Sequence, residues 1–173
     1  MSSFTGCMEL RRVAAGLLAA GWLLALALPA HAQDGKAVDD LIRQAQTQLQ
    51  KGQPRDAENT LRKAIDMAPT RGELYMLRSR ARDSSGKFDA ALEDANKYVE
   101  LEPNDPYAYL NRSRIYISQD KTESALADAN KAIELDPKEP DGYYRRSDIY
   151  NEMGKKAEAK ADEDKAEKLA KGQ

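Results

Sequence analysis

The stretch PYAYLNRSRIY, residues 106–116, sets two residues between Tyr109 and the pair Arg112-Ser113. The same Tyr-x-x-Arg-Ser phrase occurs in GELYMLRSRAR, which begins at Gly72, and in PDGYYRRSDIY, which begins at Pro140. Equivalent residues of the three copies are 34 positions apart. Other columns keep that interval: Pro69, Pro103 and Pro137; Ala57, Ala91, Ala125 and Ala159; Ala45, Ser79, Ser113 and Ser147. Gly52, Gly86 and Gly154 form one more, with Asp120 in the remaining slot. A fixed period of this length is the mark of a repeat architecture. Four frames follow, 38–71, 72–105, 106–139 and 140–173.

Each frame reads as two helices. In the third, Pro106 suits a first helical position, where its missing N–H costs no hydrogen bond, and Tyr109, Arg112, Ser113 and Tyr116 follow at helical spacing. The slot of Asp120, glycine in the other frames, predicts a left-handed turn residue. Ala125, Leu126, Ala129, Ala132 and Ile133 then mark one stripe of a second helix, and Pro137 closes the unit, since the residue before a proline resists the helical region. The small residues at the eighth and twentieth positions let the two helices pack closely. At the twenty-seventh position Ala64, Ala132 and Ala166 repeat this, with Tyr98 as the exception. One such hairpin cannot bury its stripe alone, so consecutive hairpins must stack. In the last frame Lys160, Glu163 and Glu167 stand where the middle frames carry Leu92, Ala95, Val99 and Leu126, Ala129, Ile133. The final helix therefore reads as a polar cap.

On these residues the chain resembles the tetratricopeptide repeat family. ALADANKAIELDPKEPDGYYRRSDIY, 125–150, reads close to that family's consensus, and the large residue of the fourth position appears as Leu41, Tyr75, Tyr109 and Tyr143. The resemblance implies an all-α fold, a right-handed α-solenoid of antiparallel helix hairpins over residues 38–173. Two features depart from the family's pattern. Ala or Ser replaces its glycine at the eighth position, and Arg78, Arg112 and Arg146 occupy the seventh, where it usually keeps Leu. The arginine stem can cover apolar surface while the guanidinium reaches water or a neighbouring carboxylate.

Residues 1–32 are a separate object. Arg11-Arg12 precede the uncharged run 13–28, followed by Pro29 and the Ala-x-Ala pattern Ala30-His31-Ala32. This is the form of a secretory signal peptide cut between Ala32 and Gln33, and the run is short for a membrane span. The flanks of Arg11-Arg12 lack the usual residues of a twin-arginine signal, which leaves general secretion, and Ala-x-Ala cleavage places the expected mature chain in a bacterial periplasm, without membrane insertion after cleavage. Residues 33–37 read as a short unstructured lead-in.

The expected cut leaves 25 basic against 28 acidic residues, which gives no cause to expect nucleic acid as a partner. It also removes the chain's one Cys, one His and one Trp, so the mature chain has no cysteine nucleophile, His-based triad or His/Cys zinc site. The single turn glycines make no phosphate loop. Neither cofactor nor metal is expected, and the chain reads as non-enzymatic.

The resemblance also implies a concave face lined by the first helices. On it, Ile42, Gln46, Met76, Arg80, Tyr107, Leu110, Asn111, Arg114, Tyr144, Arg145 and Asp148 are the candidate groove residues. Met, Tyr and Arg are types enriched at recognition surfaces. The family's clamp for a C-terminal carboxylate would fall on Met76, Arg80, Asn111, Asp141 and Arg145. Only Asn111 and Arg145 match it, and Asp141 would repel a carboxylate. The expected role is an adaptor that holds a peptide segment or helix of another protein. A structural subunit of a cell-envelope assembly, docking by its edges or self-associating, is the alternative.

Overall fold

The computed structural model describes residues 30–172, with side chains from residue 35 onward. The signal sequence expected over 1–32 thus lies almost wholly outside the described residues. Residues 36–172 form one compact unit; of the segment before it, only 30–35 are described. The order is α1 (Ala30–Gln50), α2 (Pro54–Met67), α3 (Gly72–Ser84), α4 (Phe88–Leu101), α5 (Pro106–Ser118), α6 (Thr122–Leu135), α7 (Pro140–Glu152) and α8 (Lys156–Ala170). Among the described residues there is no strand, and no helix is long and apolar enough to cross a membrane. The helix boundaries follow the 34-residue frames. One difference lies at the start: residues 33–37, expected to be unstructured, belong to α1. A single glycine there, Gly35, costs a helix only about 1 kcal/mol, and its neighbours Lys36 and Ala37 are good helix formers.

The Tyr-x-x-Arg-Ser phrase is a packing cassette. The hydroxyls of Tyr75, Tyr109 and Tyr143 donate to the carbonyl oxygens of Pro69, Pro103 and Pro137 at 2.9–3.1 Å, tying each first helix to the turn before it. The guanidinium of the arginine in the same phrase lies 5.6–5.7 Å from the centre of that tyrosine's ring. It also donates a pair of bonds of 2.7–2.9 Å to a buried carboxylate on the second helix: Arg78 to Asp94, Arg112 to Asp128 and Arg146 to Asp162. Bidentate geometry of this kind is the strong form of the arginine–carboxylate bond. Ser113 Oγ donates to the Ala125 carbonyl and Ser147 Oγ to that of Ala159, at 2.9 and 2.8 Å. Residue 113 thus meets 125 while 112 meets 128, so the two helices run antiparallel.

Stacking uses a second set of residues. Ile115, fully buried, packs on Ala91 and Ala95 of the preceding repeat, and Ile149 packs on Ala125 and Ala129 in the same way. Beside these contacts the Arg112 and Arg146 guanidiniums reach back to Asn96 and Asn130 of the previous repeat at 3.2 and 2.8 Å. The first repeat is joined differently. A wider cluster of Val38, Ile42, Leu61, Ile65, Leu74 and Tyr75 forms the largest core. At its edge the buried Glu58 accepts bonds from Arg82 (3.1 Å) and Lys87 (2.7 Å). Burial alone would raise the Glu58 pKa, but the Lys87 and Arg82 contacts outweigh it and hold the carboxyl below its ordinary value. In the last repeat Lys160, Glu163 and Glu167 are exposed.

The turns between the helices of a pair are left-handed. Gly52, Gly86 and Gly154 have φ of 70–73°, and Asp120 has φ 57°. A side chain in that region clashes with its own carbonyl, and aspartate tolerates it better than most. Asp120→Gly is expected to raise stability by about 0.5 kcal/mol, read as a higher urea midpoint; a lower midpoint would contradict the strain.

Candidate functional site

Asn111 Nδ2 donates to Ser79 Oγ at 3.3 Å, and Arg114 donates to Asp83 at 3.0 Å. Both residue numbers rise together across these bonds, so α3 and α5 run parallel. First helices touch one another, α3 to α5 and α5 to α7, whereas no such contact joins α4 to α6 or α6 to α8. Helices that approach more closely lie on the inside of a curved stack, which puts α3, α5 and α7 on the concave side.

Their exposed faces line a groove of about 670 Å³. Nine of the eleven candidate residues meet there: Met76, Arg80, Tyr107, Leu110, Asn111, Arg114, Tyr144, Arg145 and Asp148. On α5 the four contributors, Tyr107, Leu110, Asn111 and Arg114, recur at the spacing of one helical face. Ile42 is a correction. It is only 5% exposed and belongs to the core that α1 shares with α2 and α3. The first helix of the first repeat packs on its neighbours through the position that faces the groove in later repeats. Gln46 is exposed but is not among the residues that line this groove.

Two further side chains line it, Asp141 and Tyr98. Tyr98 comes from a second helix, and the signal for it was its place in a column otherwise filled by alanine. Gly72 makes the room: a Cβ there would stand 3.0 Å from the Tyr98 ring and 2.7 Å from Glu102 Cγ. The Tyr98 hydroxyl donates to the Asp105 carboxylate. Burial, reinforced by that bond, raises its pKa well above the ordinary value, so it remains a donor.

Charge in the groove is uneven. At the Arg114 end, burial lowers the guanidinium's pKa against the pull of Asp83, and the nearby Arg80 and Arg145 lower it further. Arg145 Nε is buried without a partner, and its guanidinium is 3.8 Å from Asp148. At the other end the Tyr107 hydroxyl is raised first by burial and then by the carboxylates of Glu139 and Asp141. Leu110, 7% exposed, forms the floor between the two ends, while Tyr107 and Tyr144 are 45% and 38% exposed. Among the described residues no group of three or more His, Cys, Asp or Glu side chains is placed to hold a metal. A smaller depression, between the turn of Gly52 to Asp56 and Ser84-Ser85, gathers no comparable set of side chains.

Three family models, each described as tetratricopeptide repeat, match residues 42–109, 106–139 and 129–161. No curated protein matches the sequence. Among solved structures, the chain is similar to the tetratricopeptide repeat protein TTC0263 of Thermus thermophilus, with a TM-score of 0.71 and 20% identity over 77% of this chain and 74% of that one. It is also similar to PilF of Pseudomonas aeruginosa, with a TM-score of 0.72 and 21% identity over 82% and 64%. The first tetratricopeptide domain of Spaghetti (RPAP3), solved bound to the HSP90 peptide SRMEEVD, gives a TM-score of 0.62 and 23% identity over 69% and 94%. The family models together span residues 42–161, and the eight helices repeat at that family's period. The chain belongs to the tetratricopeptide repeat family.

Proposed function

We propose that the chain is a non-enzymatic adaptor that holds a segment of another protein in the groove of α3, α5 and α7, in the periplasm after export. The observation that carries this reading is the groove itself. It is a concave surface where exposed Tyr107 and Tyr144 stand beside Arg80 and the incompletely partnered Arg145. Exposed aromatics and arginine are the types that supply most binding energy at interfaces. The likeness to a domain solved with a bound peptide supports a protein segment as the ligand class.

Met67 and Phe88, 44% and 38% exposed outside the groove, favour a second reading in which the array docks by its edge in an envelope assembly.

A photo-reactive residue at Tyr107, introduced in the native envelope, tests the first reading. Glu93, exposed on α4, is the control, because Asp94 beside it is buried against Arg78. A discrete adduct from position 107 and none from 93 is expected. Adducts of equal yield from both positions, or from position 88 alone, would move the assignment to the edge.

A further inference from the structure

The groove's charges are segregated along α5. Tyr107 and Arg114 are seven residues apart, about 10.5 Å along a helix axis. Glu139 and Asp141 gather at the Tyr107 end, and neither makes an ion pair among the described residues. Arg80 and Arg145 gather round Arg114. Asp83 offsets Arg114 itself, which leaves Arg80 without an ion pair among the described residues and Arg145 with only the long contact to the exposed Asp148. Between the two ends lie the apolar Leu110 and Met76. A ligand matched to this surface carries an apolar strip with cations on one side and carboxylates on the other. The cations would also meet the faces of Tyr107 and Tyr144, which attract them.

An extended strand offers side chains in only two opposed directions, whereas this surface asks for three: one side chain down and one to each side. A helix crossing α5 supplies all three, and its diameter of about 10–12 Å spans the gap between the two charged ends.

We infer that the occupant of the groove is an amphipathic helix of a partner protein, with a basic flank against the Tyr107 end, an acidic flank against the Arg80–Arg145 end and its apolar stripe on Leu110. This rests on the groove reading above and deepens it.

The test uses labelled synthetic helical peptides sharing one Leu/Ala stripe. In one, Lys lines one flank and Glu the other; in the second both flanks are Glu; in the third both are Lys. Fluorescence anisotropy with the purified protein should show the mixed peptide binding roughly fivefold more tightly than either single-sign peptide, since each exposed ion pair contributes modestly. In the double variant R80E/R145E, with helical circular dichroism unchanged, the order should invert so that the all-Lys peptide binds best. A proline at the centre of the mixed peptide should abolish its binding. Equal affinities for the three peptides, no binding of any, or binding undiminished by the proline would overturn the inference. The groove reading stands or falls separately, on the adduct from position 107 with the native partner.

Discussion

Ile115→Ala is expected to destabilise the protein by about 3–5 kcal/mol, the upper part of the range for deleting a buried aliphatic side chain. Ile115 is fully buried, and it packs on Ala91 and Ala95 of the preceding repeat. Of the side chains packed there only Leu92 can lean in to shrink the void, while Ala91 and Ala95 have nothing to extend. Most of the cavity would therefore persist at the junction of the second and third repeats. Because each repeat touches only its neighbours, damage at one junction weakens the coupling between the two halves of the array. Urea unfolding followed by circular dichroism should show a lower midpoint together with a broadened transition. A loss of less than about 1 kcal/mol, below the usual range for such a deletion, would mean that the repeats close over the gap.

Asp128→Ala should cost about 3 kcal/mol, for an electrostatic reason. Asp128 is 6% exposed and takes both bonds from Arg112, whose guanidinium also lies 5.7 and 5.9 Å from the ring centres of Tyr109 and Tyr116. The Asp128 bond raises the Arg112 pKa, and burial opposes the rise; an arginine guanidinium is not deprotonated in proteins, so it stays charged when its partner is removed. Breaking a buried pair from one side leaves an uncompensated charge, while replacing both partners by apolar groups is often close to neutral. The arginine side chain keeps 20% of its exposure, which places the expected cost at the lower end for such pairs. The double variant R112L/D128A should recover most of the loss and lie within about 1.5 kcal/mol of the parent protein. Its leucine is the residue that the family usually keeps at that position. Unfolding of the four proteins of this cycle is the measurement. A double variant as unstable as the sum of the two single ones would show that the pair is not coupled.

At both of these sites the sequence discloses one partner and not the other. The arginine of the repeated phrase stands out at once, because it recurs at a fixed interval. Its partner is sixteen residues further on, in a helix that carries many acidic residues. Repetition picks out Asp94, Asp128 and Asp162 only after the bonds are seen, since no rule of local spacing links residues on opposite helices of a hairpin. Ile115 and Ile149 have the same character. Their alanine partners form a visible column, but which isoleucine seats on them depends on how one repeat is set against the next.

In the groove, helical spacing on α5 and α7 was enough to place Tyr107, Leu110, Arg114, Tyr144 and Asp148 on one side, since the first helices of the later repeats turn the same positions outward. Spacing does not place Ile42, whose position the neighbouring helices cover, nor Tyr98, which enters from a second helix through the space left by Gly72. The sequence by itself determined the period, the pairing of helices and the turns with positive φ. These follow from local preferences and from repetition, and each is written within a few residues of where it acts. Tertiary structure alone decided which carboxylate each arginine meets, which residues of the first repeat are covered, and how acidic and basic groups separate along α5. Those outcomes depend on the stagger and curvature of one hairpin against the next, a sum of many weak side-chain contacts that no single position encodes.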